Sequence, residues 1–339
     1  MSIQVIRMAL LCLLVTVPAH AQIVETVGSR ALGMGGAFVA VASDSSATWW
    51  NPAGLAAGPF VDVAWGKGVI ETTPGLPAVR YRPSWVALAT PPLGMSVYRF
   101  RITDIQRFTP IDASSDGRQD SGAGVFGRSL SVTQVGATVL RTVAQGIHVG
   151  ATLKYVRGTV RTRGLGRESD PGELLDSGEE LEGGSAESRF DLDLGLLSVA
   201  GPFRIGALVR NVREPRFGSV ALPGASSDQV RLPRQFRVGM AFSPDDSAVP
   251  TVALDADLRP YDTPAGERQV VAVGAEQWFG TRRFGVRAGG RLNTRGARER
   301  TATIGGTVAL RGGLFIDGHA AGGGASSEEG WGVAARVSF

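Results

Sequence analysis

Charged residues set two apart between apolar ones are the first feature of this chain that could do chemistry. Asp191 and Asp193 alternate with Phe190, Leu192, Leu194 and Leu196, and Asp255 and Asp257 alternate with Leu254, Ala256 and Leu258. Arg283, Arg287 and Arg291 interleave with Phe284, Val286, Ala288, Gly290 and Leu292. Arg99 and Arg101 run opposite in phase to Tyr98, Phe100 and Ile102, and Lys154 falls in the same charged phase. Successive strand residues point to opposite faces, so each such run gathers its charges on one side. We assign that side to the inside of a barrel. A charged constriction there would select anions or orient a carboxylate ligand. A lattice of ion pairs fits the same spacing, because buried charges need partners.

Other chemistries find less support. His148 and His319 are the histidines outside the leader region, and neither has a Ser-centred motif nearby. Cys12 is the single cysteine and lies in the leader, so no thiolate, disulfide or metal cluster with the usual spacing is expected. Gly33-Met34-Gly35-Gly36 has the look of a phosphate cradle, but Val39 occupies the third-glycine position of a dinucleotide fingerprint and no βαβ pattern follows. The sequence pI is about 9.7 with a net charge of +4. No basic cluster interleaves with aromatics, so a nucleic-acid partner is not expected. The expectation is a protein that is not an enzyme and carries no cofactor and no metal.

The elements that would position these charges are strands. Residues 1–21 read as a signal peptide: Arg7 gives its positively charged start region, Met8 to Val17 form a short apolar stretch, and Ala19-His20-Ala21 offers a cleavage site near Ala21. After it no run of apolar residues is long enough for a spanning helix. A chain without such a run crosses a membrane only as a closed barrel of alternating strands. The candidate strands are 60–71, 79–90, 93–108, 128–143, 146–163, 187–200, 202–213, 231–243, 249–259, 267–279, 283–293, 299–311, 313–322 and 330–339. Short links alternate with long ones, which places the short turns in the periplasm and the long loops outside. The last strand ends on Phe339, a terminal aromatic of the kind read by the barrel insertion machinery. The fold class is therefore all-β: a transmembrane antiparallel barrel of about 14 strands over residues 60–339, with an N-terminal plug over residues 22–59.

The stretch Gly28 to Ala56 carries a family resemblance. Arg30, Gly33, Gly35, Gly36 and Ala37, then Asp44 to Ala47, then Asn51, Pro52, Ala53 and Gly54 match in type and spacing. They resemble the N-terminal segment of the FadL/PorV group of outer-membrane barrels. That group includes the long-chain fatty-acid channel, the type IX secretion component PorV and its PorQ relatives. The resemblance implies fourteen strands and a hatch whose movement gates passage. It nominates Gly33, Gly35, Gly36, Asn51, Pro52 and Gly54 as plug and gating residues; Trp49 and Trp50 join them as a pair that either lines an apolar ligand site or packs the plug against the wall. Asp44 or Ser43 is placed to cap a short helix through Ala47 to Trp50, which stops at Asn51-Pro52.

The function expected is an outer-membrane channel that passes a small hydrophobic or amphiphilic molecule, gated by the plug. The alternative is a PorV-like barrel that binds a protein partner in secretion or surface attachment. Expected partners are outer-membrane lipid and lipopolysaccharide, the hydrophobic molecule or a secreted protein, and the insertion machinery. The acidic stretch within 164–186 is a candidate docking loop, although it lacks the residue order of a calcium loop.

Overall fold

A computed structural model describes residues 25–72, 75–108, 124–166, 170–218, 229–246, 248–263, 266–310, 313–324 and 328–339. The leader expected over 1–21 and most of the 109–127 loop lie outside these. The strands in chain order are β1 (Asp62–Thr72), β2 (Ala78–Thr90), β3 (Leu93–Phe108), β4 (Gly124–Ala144), β5 (Ile147–Gly166), β6 (Ala186–Ala200), β7 (Phe203–Arg210), β8 (Arg216–Phe217) and β9 (Val230–Arg231). They continue as β10 (Gln235–Phe242), β11 (Thr251–Asp257), β12 (Tyr261–Thr263), β13 (Gly266–Arg268), β14 (Val270–Phe279), β15 (Phe284–Asn293), β16 (Arg300–Ala309), β17 (Leu314–Gly323) and β18 (Glu328–Ser338).

Among the described residues, fourteen of these strands form a closed antiparallel barrel in which each pairs with its sequence neighbours. The ring closes between β1 and β18, in register from Asp62↔Ser338 to Thr72↔Glu328. The other four form two small ribbons, β8 with β9 and β12 with β13. Each of the fourteen expected strands forms, with ends shifted by a few residues. The expected strand 267–279 is two elements, because the ladder breaks at Gln269, whose N–H turns to the Asn293 side chain at 2.8 Å.

Alternation decides which residues face lipid. Leu153, Phe190, Ile205, Met240, Leu254, Val273, Val286 and Ile304 are exposed, while their strand neighbours are turned inward. An apolar exterior over a charged interior inverts the ordinary soluble pattern and suits a wall bathed in hydrocarbon.

The inside is full. Residues 25–57 form a lumenal segment that is buried almost throughout. It contains helix α1 (Ser29–Gly33), helix α2 (Ala47–Trp50) and a 3-10 turn (Pro52–Ala57). The Asp44 carboxylate accepts the Ser46 N–H at 3.0 Å ahead of α2. Asn51 ends α2 in an extended conformation, and its side chain accepts the Ala53 N–H while Pro52 opens the next turn. A third helix, α3 (Pro171–Glu179), packs against the outer face of β2–β5 through Leu174 and Leu175 on Ala78, Ile105 and Val125.

Candidate functional site

The lumenal segment is held by pairs that reach it from many strands. Arg30 on α1 donates to both oxygens of Glu276 on β14 at 2.9 and 2.6 Å, and the same carboxylate accepts from Arg287 on β15 at 2.6 Å. Asp255 on β11 accepts the backbone N–H groups of Phe38 and Val39 at 2.8 and 2.9 Å. Glu25 meets Arg237 at 2.5 Å and Arg268 at 3.2 Å, and Arg237 also pairs with Asp257 at 2.7 Å. Burial alone would raise the Glu25 carboxyl, but the Arg237 and Arg268 guanidiniums overcome it and hold it below the usual carboxylate range. Elsewhere on the inner wall, Lys154 bridges Asp191 at 2.9 Å and Asp193 at 2.6 Å, and Arg291 pairs with Glu328 at 2.7 Å.

The segment's own residues are placed by close packing. Trp49 lies 4.9 Å from Tyr98 and 5.0 Å from Phe100 by ring centroids, with the Arg210 guanidinium 3.3 Å above it. Trp50 donates its indole N–H to the Val27 carbonyl at 2.8 Å. The Asn51 amide donates to Val39 at 2.8 Å and to Leu196 on β6 at 2.9 Å, tying the segment to itself and to the wall. Gly35 has φ +71°, and a Cβ there would lie 2.6 Å from the Gly290 nitrogen. Gly33 abuts Gly305, Gly36 abuts Glu25, and Gly54 abuts the Ala42 carbonyl.

Inward glycines of the wall complete this fit. Gly150 and Gly195 face Pro52 and Asn51, Gly206 faces Val39, and Gly274 and Gly289 face Met34. Sequence reasoning missed them; their signal was glycine recurring in the inward phase of successive strands.

Three expected inner charges lie elsewhere. Arg99 and Arg101 are exposed on the outer face of β3, because Tyr98 and Phe100 turn inward onto Trp49. Arg283 is exposed in the turn before β15, where its N–H bonds Phe279. His148 and His319 sit on β5 and β17, and His148 bonds Thr142 at 2.9 Å. Among the described residues no group of His, Cys, Asp and Glu could hold a metal ion.

At one place in the wall the ladder is incomplete. The β1–β2 ladder pairs Lys67 with Ser84 and Ile70 with Tyr81, but skips Gly68 and Val69 against Arg82 and Pro83. Proline has no N–H to give the ladder. Outside this break lies a groove of about 590 Å³, with Lys67, Arg82, Arg99 and Arg101 on its walls and Phe100 and Val132 at its floor. Inside it, a small cavity beside Gly28, Ser29 and Leu32 shares Lys67, Gly68, Pro83 and Trp331 with the groove. Groove and cavity thus lie on either side of the same four residues, next to the lumenal segment.

The comparisons with known proteins agree with this architecture. No curated protein sequence matches the chain. Among solved structures, the fold is similar to the CymD monoaromatic hydrocarbon channel, at TM-score 0.64 and 15% identity over 94% of this chain and 99% of that one. It is similar to the Ralstonia pickettii toluene transporter TbuX, at TM-score 0.62 and 17% identity over 93% and 99%. A Pseudomonas aeruginosa FadL homologue matches at TM-score 0.58 and 11% identity over 93% and 98%. At these identities the likeness is one of fold, and it is that of the FadL-type outer-membrane barrel. No helix among the described residues is long and apolar enough to cross a membrane. The family described as "F plasmid transfer operon, TraF, protein" matches residues 86–257, just over half of the chain and most of the wall from β2 to β11, and the chain belongs to that family.

Proposed function

We propose that the protein is an outer-membrane channel for a small hydrophobic or amphiphilic molecule, with the segment over 22–59 as its plug. The observation that carries this is the broken β1–β2 ladder, with an outer groove and a small inner cavity on either side of Gly68 and Pro83. A gap opening sideways offers an apolar molecule a route that never exposes it to water. The structural neighbours are named as hydrocarbon channels and transporters, which supports the same reading. In it, Gly33, Gly35, Gly36, Trp49, Trp50, Asn51, Pro52 and Gly54 set how firmly the plug sits. Lys154, Asp191, Asp193, Asp255, Asp257, Arg287 and Arg291 fix the wall against which it sits. The reading needs no catalytic group and no cofactor. The barrel reaches the outer membrane after leader cleavage near Ala21, and its strand ending at Phe339 engages the insertion machinery.

The test closes the gap. Val69→Cys with Arg82→Cys places two thiols across the skipped positions. Uptake of a labelled monoaromatic hydrocarbon by cells carrying the protein should fall on oxidation and recover on reduction. Uptake unchanged by the crosslink would overturn the lateral route.

A second reading draws on the family's description, which names a plasmid transfer operon. Under it the barrel binds a protein partner through its outer surface, with α3 as the docking element.

A further inference from the structure

The lipid-facing surface of β1 to β3 is apolar near the periplasmic ends and turns cationic at a notch. On β1 the outward residues run Val63, Trp65 and then Lys67; on β3 they run Leu93, Met95, Val97 and then Arg99 and Arg101. On β18 the outward residues beside this point stay apolar, Val333 level with Lys67 and Trp331 level with Val69, whereas on β5 the exposed Arg157 pairs with Thr133 and continues the polar level. Lys67, Ser84, Arg99 and Thr133 lie in one cross-strand row, since Lys67 pairs with Ser84, Ser84 with Arg99 and Arg99 with Thr133. Adjacent strands are about 4.8 Å apart, so Lys67 and Arg99 stand roughly 10 Å apart with a hydroxyl residue between them. Both side chains are long enough to converge on one group.

Arg82 is paired with Glu179 at 2.7 Å, and Arg101 reaches only the Glu179 carbonyl at 3.4 Å. Among the described residues, neither Lys67 nor Arg99 has a carboxylate or hydrogen-bond acceptor. An unpaired cation facing hydrocarbon is costly, so two of them side by side call for an anion supplied from the lipid. Guanidinium and ammonium groups flanked by hydroxyls match an oxyanion with several acceptor oxygens.

We propose that this notch holds the phosphoryl headgroup of an outer-leaflet lipid, with Lys67 and Arg99 as its cations and Ser84 and Thr133 as its hydroxyl donors. The surrounding lipid is the occupant favoured by position. The notch opens directly onto the leaflet, where lipid is in great excess over any passing molecule. The acyl chains then lie on Val86, Val97 and Val135 below the notch. The proposal stands on the outward cations and does not depend on transport through the gap.

Native mass spectrometry of the full-length protein tests it. The protein is taken from phosphatidylcholine vesicles doped with bis-phosphorylated lipid A, or with the same lipid A stripped of phosphate. Wild type should retain the phosphorylated form and not the stripped one. Lys67→Ser with Arg99→Ser should lower retention about tenfold or more, given what each surface cation contributes to anionic-lipid binding. Arg141→Ser, an exposed outward cation of β4 away from the notch, should leave retention intact. Folding of each variant is checked by heat-modifiable mobility on gels, and the single variants Lys67→Ser and Arg99→Ser provide a second series. Equal retention by the double variant, or of both lipid forms by wild type, overturns the proposal. So does displacement of lipid A by oleate at concentrations that leave the bilayer intact, which would make the notch a site for cargo. Hydrocarbon uptake by wild type, measured separately, fails or succeeds without altering the lipid result.

Discussion

Arg30 and Glu276, 246 residues apart in sequence, face each other as a two-point fork, with Nε and Nη2 of the arginine 2.9 and 2.6 Å from the two carboxylate oxygens. Such a fork fixes direction as well as distance. The remaining Nη1 of Arg30 reaches Ser43 at 2.9 Å and Asp44 at 3.3 Å, so one guanidinium ties α1 to the wall and to the turn before α2. Arg287 donates its Nε–H to the same Glu276 Oε1 that accepts from Arg30 Nε. The lumenal segment is therefore clamped through a three-residue relay whose middle member belongs to the wall.

Arg30→Ala should unseat the segment. Removing one partner of a buried pair costs about 3–5 kcal/mol, because the other charge stays buried. The barrel keeps its own ladder, so the loss appears locally: protease cleavage within 25–57 at unchanged heat-modifiable mobility. Arg30→Lys, which keeps the charge and loses the fork, should fall between. Protease resistance equal to wild type in Arg30→Ala would refute the clamp.

Acid should loosen the start of the segment before it harms the wall. Glu25 is held below its ordinary value of 4.5 by Arg237 and Arg268. A carboxyl depressed in the folded state contributes stability that is complete above its unfolded value and is lost as pH falls through the folded one. The contribution of Glu25 is thus full at neutral pH and declines only below about pH 4.5. Hydrogen exchange at residues 25–30 should speed up below that point in wild type. In Glu25→Gln it should already be fast at pH 7. An acid response of the same size in both proteins would assign it to another group.

Alternation made the wall legible in the sequence, because lipid outside and charge inside impose a period of two on every strand. Asp191, Asp193, Asp255, Asp257, Arg287 and Arg291 carry that period and lie on the inner face. The same rule misplaced Arg99 and Arg101. Period two separates the faces without saying which is the lumen, and here Trp49 draws the aromatic face of β3 inward. The ribbons β8–β9 and β12–β13 were unreadable, since strands of two or three residues have no period. Helix α3 had a signal that went unused: Asp170 accepts the N–H of Gly172 at 2.8 Å, and Pro171 opens the helix. The skipped pairs at Gly68 and Pro83 follow from a proline inside a strand, but the groove beside them depends on how four strands curve together.

Glycine 35 should tolerate no side chain. Its φ of +71° costs roughly 1–2 kcal/mol for any residue with a Cβ, and that Cβ would also press on the Gly290 backbone. Gly35→Ala should open the segment to protease as Arg30→Ala does. Gly322→Ala, with nothing within 4 Å of its Cβ, is the matched control and should behave as wild type. If the two alanine variants are indistinguishable, the close fit at β15 does not hold the segment.

Helix α3 separates the two functional readings. It is docked by Leu174 and Leu175 against Ala78, Ile105 and Val125, while Asp176 and Glu179 add ion pairs to Arg80 and Arg82 at 2.5 and 2.7 Å. Asp176 is largely exposed, and such pairs contribute about 0–1 kcal/mol, whereas truncating a buried leucine costs about 2–5 kcal/mol. The apolar contact decides. Leu175→Ala should undock the helix, seen as new cleavage between 170 and 186, and Asp176→Asn should not. A channel whose gap lies between β1 and β2 loses little uptake in Leu175→Ala. A barrel that captures a partner through α3 loses that partner in Leu175→Ala and keeps it in Asp176→Asn. Uptake abolished by undocking alone would place α3 in the transport path and collapse the distinction.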